Sequence, residues 1–477
     1  MSIRRVAVIG AGWAGCAAAV ELAGRGVHVT VLESARTLGG RARRVELDGR
    51  TLDNGQHIML GAYRDTLKLM RKVGADHRAA LLNVPLQMRY APGAGGMDFI
   101  APRLPAPFHL LGALLRASGL DREDKLSLAR FSTTARWMGW QFDTDCTVTE
   151  LLRRFDQTAR LTQLMWRPLC LAALNTPPDR ASANVFLAVL RDSLGAGRAA
   201  SDMLVPTADL SALLPDLAAN YVLRHGGAVH MGAQATALLP QPDGGWRVQA
   251  TGAALGEHWE QRFDAVLLSC GAPHAAALLD AIALPALQAS PVHPASPATG
   301  PESAEPAEST PPATLAARLR AFSYEAITTV YLQYAPSVQL ALPFIALIDS
   351  PESGHWGQFV FDRGQLDARQ AGLLAVVISA SGEAAAQGRQ ELADAVAAQL
   401  ADVLRRPELA RPGWSRVITE KRATFACTPA LDRPANATGL PGLLLAGDYT
   451  AGDYPATLEG AVRSGIAAAA EFLKSKK

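Results

Sequence analysis

A glycine-rich turn near the start of the chain constrains the fold more than any other feature. Gly10, Gly12 and Gly15 follow the apolar run RRVAVIG and precede an alanine-rich stretch of helical composition. In a strand–turn–helix unit the first glycine permits the tight turn, the second lets a pyrophosphate approach the backbone, and the third lets helix pack on strand. The helix N-terminus then offers free N–H groups to phosphate oxygens. The pattern predicts a dinucleotide site.

A second strand follows at the spacing that this motif requires. The run VHVTVLE is apolar and β-branched without polar alternation, which is typical of a parallel strand buried on both faces. It ends in Glu33, eighteen residues after Gly15, where a carboxylate can accept hydrogen bonds from ribose hydroxyls. We therefore predict an α/β fold with a Rossmann-type domain at its N-terminus.

The rest of the chain alternates between helical and strand-rich patterns. Residues 63–217 are mostly helical in pattern, and strand-rich stretches follow as GAVHMGAQATALLP, GWRVQA and FDAVLLSCGAP, then ITTVYLQY and LLAVVISASG. Residues 289–313 hold seven prolines and no aromatic residue. Such a segment cannot bury enough surface to offset its ordering entropy, so we predict a disordered insertion there.

Composition excludes several classes of protein. The 477 residues favour two interleaved domains, and a net charge of +2 gives no reason to expect a nucleic-acid partner. The five cysteines are scattered without a CxxC pair, which argues against a disulfide framework or a metal site and favours the cytoplasm. No apolar run reaches the length of about 18 residues that a membrane-spanning helix needs.

Two further motifs carry a family resemblance. LGGRARR, which contains Gly39, Gly40 and Arg41, resembles the second flavin signature of the amine oxidase and carotenoid desaturase superfamily. Near the other end, LLLAGDYTAGDYPATLEGAVRSG resembles the C-terminal signature of the same superfamily. The resemblance implies an FAD-binding domain of the amine oxidase and phytoene desaturase type with an interleaved α+β substrate domain. Because no cysteine lies in the C-terminal loop, we expect non-covalent FAD.

The resemblance also implies which residues contact FAD. Arg41 would line the diphosphate and ribitol, Asp448 would accept a hydrogen bond from a ribitol hydroxyl, and the helix beginning near Thr457 would face the flavin ring. For Arg43 and Arg44, solvated surface charge stays an open alternative. The expected contacts are Gly10, Gly12, Gly15, Glu33, Gly39, Gly40, Arg41, Ala235, Gly447, Asp448, Thr457 and Leu458.

Two longer stretches narrow the resemblance. Residues 52–74 (LDNGQHIMLGAYRDTLKLMRKVG) resemble the segment beneath the flavin in plant-type phytoene desaturases and hydroxysqualene dehydroxylases. Residues 165–194 (MWRPLCLAALNTPPDRASANVFLAVLRDSL) resemble hydroxysqualene dehydroxylases in particular. The resemblance implies reduction of hydroxysqualene, a long apolar isoprenoid alcohol, to squalene in hopanoid synthesis. It also implies a functional link to squalene synthase-like enzymes.

We predict that the two domains alternate along the chain. The FAD-binding domain would comprise residues 1–75, 205–285 and 415–477. The substrate domain would comprise a mostly helical part, 76–204, and a strand-rich part, 314–414. Residues 286–313 would form the insertion between them.

Dehydroxylation requires a proton donor or a pocket that tolerates a cation, because hydroxide is a poor leaving group. His57 is the first candidate donor, since it adjoins the segment beneath the flavin and histidine titrates near neutrality. A structural hydrogen bond from His57 is the alternative. Arg167 and Asn175 either bind the substrate hydroxyl or fix the surrounding helices. The weaker donor candidates are Asp53, Asp453 and Tyr454.

Residues 101–120 (APRLPAPFHLLGALLRASGL) allow two interpretations. The segment either lies in a bilayer surface as a monotopic entrance, which would make this a peripheral protein of the inner membrane face, or forms an ordinary packed helix. In the first case we expect Leu110 and Leu114 to contact lipid.

Three other functions stay open. A phytoene or carotenoid desaturase would use the same scaffold to remove hydrogens from a polyene. An amine oxidase would need an aromatic cage, although aromatic residues are only 6% of the chain. A flavin-binding protein without turnover could assist a squalene synthase-like enzyme.

Overall fold

The computed structural model describes residues 4–242, 244–282 and 312–474, and the predicted insertion lies outside them except for its last two residues, which begin a helix. The strands are β1 Arg5–Ile9, β2 His28–Glu33, β3 Arg44–Leu47, β4 Arg50–Asp53, β5 Met59–Leu60, β6 Leu81–Val84, β7 Gln87–Arg89, β8 Asp98–Ile100, β9 Met203–Pro206, β10 Ala228–Met231, β11 Gln234–Pro240, β12 Trp246–Gly252, β13 Gly256–Phe263, β14 Ala265–Leu268, β15 Tyr324–Gln333, β16 Phe344–Ala346, β17 Phe359–Asp362, β18 Leu373–Ser379, β19 Trp414–Phe425 and β20 Leu443–Leu445.

The α-helices are α1 Trp13–Ala23, α2 Arg64–Val73, α3 His77–Ala80, α4 Phe108–Arg116, α5 Arg122–Trp137, α6 Val148–Arg154, α7 Ala159–Leu161, α8 Arg167–Leu174, α9 Ala183–Ser193, α10 Arg198–Ser201, α11 Leu210–Leu213, α12 Pro215–Arg224, α13 Ala272–Asp280, α14 Pro312–Arg320, α15 Arg363–Leu366, α16 Gly382–Ala386, α17 Arg389–Val403 and α18 Leu458–Lys474. A π-helical turn spans Thr162–Trp166, and short 3₁₀ helices span Pro351–Ser353, Ala368–Gln370 and Pro407–Ala410. Across the described ranges, no helix is long and apolar enough to cross a membrane.

A five-stranded parallel sheet carries the predicted Rossmann-type unit. Its order is β10-β2-β1-β14-β20, and every neighbouring pair is parallel. The apolar side chains of these strands pack against α1, α12 and α18, which help to cover the sheet. Gly465 of α18 lies against Ala14 of α1, where any side chain on Gly465 would overlap the Ala14 carbonyl oxygen. The predicted α/β class is confirmed, and the last helix packs directly on the first.

A second five-stranded sheet is antiparallel, in the order β16-β17-β18-β15-β19, and α17 packs against it over an aliphatic core. The sequence interpretation assigned residues 415–477 to the FAD-binding domain. Residues 415–425 lie in this second sheet instead, because β19 pairs with β15 along most of its length. The predicted boundary at residue 204 also cuts through β9, which pairs with β5 and β6.

Two smaller features connect the sheets. The stretch GAVHMGAQATALLP divides at Gly232, whose φ is +65°, so β10 joins the parallel sheet while β11 starts a separate three-stranded sheet. In the helical region of residues 108–193, Trp166 contacts Phe131 of α5 and Phe186 of α9. This helical region packs beside the antiparallel sheet.

Candidate active site

The glycine turn after β1 has the geometry that its spacing predicts. Gly10 has a φ of +101°, which favours glycine, and an added methyl group there would come within 2.9 Å of the backbone of Ser269 and Cys270. A methyl group on Gly15 would overlap the carbonyl oxygen of Gly10. A methyl group on Gly12 would meet only the Cα of Gly40, at 3.9 Å. The first and third glycines are therefore required by packing, whereas Gly12 faces open space.

Backbone N–H groups border that open space. The first hydrogen bond within α1 runs from the Cys16 N–H to the Gly12 carbonyl (2.9 Å), and no side chain caps the helix. The amides that precede Cys16 in this helix therefore have no acceptor within it. We call the space between the glycine turn of residues 10–15 and the segment of Gly39 and Gly40 the glycine cradle. An uncapped helix N-terminus beside this cradle fits the diphosphate of a dinucleotide.

Glu33 ends β2 beside the same turn. Its carboxylate is buried and accepts hydrogen bonds from the N–H groups of Ala11 (2.7 Å) and Ala35 (2.8 Å). The Ala233 N–H donates to the Glu33 carbonyl (2.8 Å), which brings Ala235, two residues further along, close to this edge of the sheet. The structure thus places Glu33 and Ala235 together, at the expected end of the cofactor site.

The second glycine motif lies directly across the turn from the first. Gly39 forms a parallel bridge with Gly12 and donates its N–H to the Ala11 carbonyl (2.9 Å). Gly39 and Gly40 have φ values of +114° and +64°. A methyl group on Gly40 would lie 3.1 Å from the Gly12 Cα. Close approach of the two glycine segments therefore forms the cradle, which sequence spacing alone does not reveal.

Arg41 and Asp448 form an ion pair that joins the two ends of the chain. Arg41 Nη2 lies 2.6 Å from Asp448 Oδ1, and Arg41 Nη1 donates to the Ala423 carbonyl (2.8 Å). Burial would lower the pKa of Arg41, but the Asp448 carboxylate raises it above its ordinary value. Asn54 lies in the candidate catalytic segment, residues 53–57, which carries Asp53 and His57, and its side-chain amide donates to the Arg41 carbonyl (3.0 Å). Three predicted motifs therefore meet at Arg41.

Arg433, which sequence reasoning missed, holds the C-terminal loop. Its half-buried guanidinium donates to the carbonyls of Asp448 (3.0 Å), Gly452 (3.0 Å), Tyr454 (2.9 Å) and Thr450. No local signal marks Arg433, because the carbonyls that it binds lie 15–21 residues further along the chain. Arg433 therefore connects four backbone carbonyls of the loop through one side chain.

Two buried hydroxyls beside the cradle were also missed. Within the described ranges, the hydroxyls of Ser269 and Tyr449 are buried without a hydrogen-bond partner. Ser269 directly follows β14, and its Cβ would lie 3.1 Å from a methyl group on Gly15, whereas Tyr449 follows Asp448. Buried hydroxyls are nearly always satisfied, so these two are suited to contact a bound ligand. Their positions at the carboxyl ends of parallel strands were the available signal.

The last helix begins where the sequence predicts. Thr457 Oγ1 accepts a hydrogen bond from the Gly460 N–H (3.0 Å), and the helix starts at Leu458. A hydroxyl in this position caps the N-terminus of the helix. The hydroxyl oxygen of Ser464, in the same helix, accepts a hydrogen bond from the Gly447 N–H (3.0 Å). Helix α18 therefore positions both the Gly447 turn and its own N-terminus.

Glu459, in the first turn of α18, contacts the start of a neighbouring helix. It is fully buried and accepts hydrogen bonds from the N–H (3.0 Å) and the hydroxyl (2.7 Å) of Thr66, at the start of α2. Arg463 donates to the same carboxylate at 2.8 Å. Glu459 therefore stabilises the N-terminus of a neighbouring helix by capping it.

The surroundings of His57 favour a hydrogen-bond acceptor instead of the expected proton donor. Its Nδ1 lies 2.7 Å from the Gly55 carbonyl, and since a carbonyl only accepts, Nδ1 carries the hydrogen and Nε2 has a lone pair. Burial lowers the pKa of His57, and the hydrogen bond to Gly55 opposes this only in part. Desolvation of the ring favours the neutral form over the protonated donor that the sequence interpretation expected. His57 is therefore neutral at neutral pH and can accept a hydrogen bond at Nε2.

Asp53 is held by the protein on every side. Its Oδ1 accepts from the Leu210 N–H (2.8 Å), its Oδ2 lies 3.9 Å from Arg363, and its carbonyl accepts from the Tyr331 hydroxyl (2.9 Å). Burial raises the pKa of Asp53 to about 6, against the opposing effects of Arg363 and the Leu210 N–H. Arg363 also donates to Gln56 (2.8 Å). These contacts favour a positioning role, in which Asp53 fixes the segment that carries His57.

Tyr454 keeps its proton at physiological pH. Burial raises its pKa, and the Arg463 guanidinium lies 4.2 Å above its ring. Tyr63 packs edge-on against it, with ring centroids 6.3 Å apart. Asp453, by contrast, is largely exposed and lies 3.5 Å from Arg191, so it faces solvent. Among the candidate donors, Tyr454 is both buried and protonated.

Arg167 and Asn175 make contacts within the protein. Arg167 pairs with Asp349. The side-chain oxygen of Asn175 accepts a hydrogen bond from the Ala380 N–H (2.6 Å). Its side-chain NH₂ group donates to the Thr424 hydroxyl (2.9 Å). Asn175 therefore ties the end of α8 to the antiparallel sheet, which favours the alternative that it fixes the helices.

Arg43 and Arg44 also find partners within the protein. Arg43 donates to the Gly40 carbonyl. Arg44 lies 3.3 Å from Asp209 and 2.9 Å from Asp216. Arg44 is therefore part of a surface ion-pair cluster, as the alternative interpretation expected.

The fold and the cradle together define a protein that binds a dinucleotide, and comparison with known proteins identifies its family as flavin-dependent oxidoreductases. Residues 13–473 match the family of flavin containing amine oxidoreductases, so the chain belongs to that family. It is 29% identical to hydroxysqualene dehydroxylase of Rhodopseudomonas palustris over 485 residues, which cover 98% of this chain and 97% of that protein. It is 23% identical to a zeta-carotene desaturase of Arabidopsis thaliana over 97% of this chain and 84% of that protein.

Solved structures agree on the fold. A double mutant of putrescine oxidase superimposes with a TM-score of 0.65 at 15% identity, covering 99% of this chain and 100% of that chain. The predicted flavin-dependent oxidoreductase and the resemblance to hydroxysqualene dehydroxylases are both confirmed.

Proposed function

We propose that this enzyme binds FAD non-covalently and reduces hydroxysqualene to squalene, as a step towards hopanoids. The observation that carries the proposal is similarity along almost the whole chain to hydroxysqualene dehydroxylases from several bacteria. A functional link to a squalene synthase-like enzyme, which would form the substrate, belongs to the same proposal.

The cradle supports FAD in particular. It offers helix N–H groups for a diphosphate, the Glu33 carboxylate at one end for a ribose, and Asp448 at the other end for a ribitol hydroxyl. Burial raises the pKa of Cys16 and Cys270 to about 12 and that of Cys427 to about 11. Such thiols are poor nucleophiles at neutral pH, which supports a non-covalent cofactor.

The reaction exchanges a C–O bond for a C–H bond and releases water, so it consumes one hydride and one proton. Reduced FAD, when bound, would supply the hydride. The neutral His57 would accept a hydrogen bond from the substrate hydroxyl at Nε2 and orient it. Tyr454 is protonated at neutral pH and is the candidate general acid, and because burial raises its pKa, it would transfer its proton only to a strongly basic group such as the departing hydroxide.

Anaerobic mixing of the reduced protein with hydroxysqualene tests the proposal. We expect squalene as the product, and with deuterium on the reduced flavin, one deuterium at the carbon that carried the hydroxyl. Squalene without deuterium, under conditions that prevent washout, would refute direct hydride delivery.

A desaturase is the second candidate, because the chain also matches zeta-carotene desaturases over its full length. The matched experiment supplies phytoene or zeta-carotene to the oxidised protein. A coloured polyene from those substrates, with hydroxysqualene unchanged, would assign the enzyme to the desaturases.

We also propose that the enzyme is cytoplasmic and meets the membrane as a peripheral protein. A long isoprenoid alcohol partitions into lipid, so the enzyme must collect its substrate from a bilayer.

A further inference from the structure

Helix α4 and its lead present an apolar ridge to solvent. Leu104, Phe108, Leu111 and Leu115 are 42%, 57%, 49% and 68% exposed. The last three recur at spacings of three and four residues, which places them on one helix face. Gly112 lets the lead pack on the helix, because a methyl group there would lie 2.8 Å from Cγ of Pro102. We call these four side chains the outer ridge.

The ridge corrects the earlier choice of lipid-facing residues. Leu110 and Leu114 are only partly exposed, and Leu114 packs against the hydrophobic core. The helix is rotated by one residue from the expected orientation because His109 and Ala113 occupy its fully buried face. The residues to test are therefore Leu111 and Leu115.

The ridge concentrates exposed apolar surface in one place. Of the eight large hydrophobic side chains that are strongly exposed in the described ranges, four form the ridge, and Leu126 and Trp137 lie on the next helix, α5. Lys125 of α5 donates to the Leu115 carbonyl (3.3 Å), so α5 begins beside the end of the ridge. Single exposed leucines are ordinary, but a contiguous apolar patch marks an interaction surface.

The surroundings of the ridge are cationic. Residues 101–137 contain six arginines and lysines but three carboxylates, in a chain whose net charge is only +2. One of the three carboxylates, Asp124, is buried, whereas Arg103 and Arg116 at the two ends of the ridge are exposed. A second copy of this chain would bring like charges together. Anionic headgroups would complement both the charge and the apolar row.

The inner side of α4 leads towards the candidate catalytic segment. His109 is fully buried beneath the ridge, beside the pair formed by Arg198 and Asp202. The Asp202 carbonyl accepts a hydrogen bond from the Gly61 N–H (2.8 Å), four residues after His57. The inner side of α4 is therefore linked through Asp202 to the stretch that follows His57.

We propose that the outer ridge docks on the surface of a bilayer that contains anionic lipids, with Leu111 and Leu115 inserted among the acyl chains. The docking surface does not depend on the identity of the substrate. Its use as the entry point for hydroxysqualene does rest on the proposed function.

Vesicle flotation of the full-length, flavin-loaded protein tests the docking. Wild type should float with vesicles of mixed phosphatidylcholine and phosphatidylglycerol, and less with phosphatidylcholine alone. The double variant Leu111→Glu, Leu115→Glu should bind at least roughly ten-fold more weakly, because burial of even one leucine contributes about that much. Leu223→Glu, a matched change at a 51% exposed leucine on α12, should float like wild type. Flavin absorbance and Tm verify that each variant is folded.

The outcomes separate the two proposals. Unchanged flotation of the double variant, or no flotation of wild type, would overturn docking through the ridge. A wild-type dimer that the double variant converts to a monomer would assign the ridge to a second copy. With hydroxysqualene dispersed in detergent, the double variant should turn over like wild type, and only vesicle-embedded substrate should distinguish them. Absence of turnover in detergent by wild type would contradict the proposed function and leave the flotation result intact.

Discussion

The glycine cradle and the candidate catalytic segment are neighbours, but they are built differently. The cradle is made of backbone, and its shape follows from the absence of side chains at Gly10, Gly12 and Gly15. The catalytic segment, residues 53–57, is made of side chains whose partners, such as Leu210 and Arg363, come from distant parts of the chain. A local motif can therefore define a cofactor site, whereas the environment of a catalytic group depends on the assembled fold.

Substitutions at Gly15 and Gly12 should give the largest expected difference, one in stability and the other in FAD binding. Gly15→Ala should destabilise the protein by several kcal/mol, because overpacking against an immobile carbonyl usually costs about 1–3 kcal/mol or more. Gly12→Val should leave Tm nearly unchanged but abolish FAD binding, since its side chain would fill the cradle. Thermal melts of the flavin-free proteins and FAD titration measure the two effects. Equal loss of stability in both variants would show that Gly12 also packs against protein.

Turnover measurements should show whether Tyr454 or His57 is the general acid. Tyr454→Phe should slow the reduction of hydroxysqualene by roughly 100-fold or more if Tyr454 is the general acid. His57→Gln keeps a hydrogen-bonding side chain and should slow turnover less. Single-turnover rates with pre-reduced protein isolate the chemical step. A larger loss in His57→Gln than in Tyr454→Phe would restore His57 as the donor.

The pH profile sharpens the same assignment. Burial lowers the pKa of His57, so an enzyme that required protonated His57 would lose activity as pH rises through and above that depressed value. A neutral His57 that accepts a hydrogen bond predicts the reverse, with the rate sustained from pH 6.5 upwards and falling at acidic pH. The chemical rate between pH 5 and 8 decides between them.

Asp448→Asn tests how the two regions are joined. Loss of the charge opposite Arg41 should weaken FAD binding by roughly ten- to a hundred-fold, because a hydrogen bond to a charged group contributes about 1.5–3 kcal/mol. The positions of the catalytic side chains should change little, so the rate at saturating FAD should stay near that of wild type. A large fall in that rate would show that the ion pair also positions the segment near Asn54.

The smallest effect concerns His109. Burial and Arg198 lower its pKa, so the folded state binds fewer protons than the unfolded state below the ordinary histidine value of 6.5. Stability from this site is therefore fully present above pH 6.5 and is lost as pH falls below it. His109→Leu should reduce the decline in Tm between pH 7 and pH 5. An unchanged decline would assign the acid sensitivity to other groups, with His57 as the next to test.

The local motifs of the parallel sheet were predictable because each is contiguous in sequence. The strand–turn–helix at residues 5–23, the strand that ends in Glu33 and the helix that begins at Leu458 lie where their patterns predicted. The domain boundary near residue 414 was not predictable in the same way. Strand β19 reads as a strand in either sheet, and only its pairing with β15 assigns it to the second sheet.

The candidate site likewise has features that local sequence sets and features that only tertiary contacts set. The sequence by itself determined the class of cofactor, since glycine spacing and backbone geometry are local properties. Only the tertiary structure decided that Arg41 meets Asp448, that Arg433 holds the loop, and that His57 is neutral. Ion pairing, burial and pKa all depend on groups that folding brings together from across the chain. For the same reason, the sequence left residues 101–120 open to two interpretations, and only packing on His109 and Ala113 showed which side of α4 faces outward.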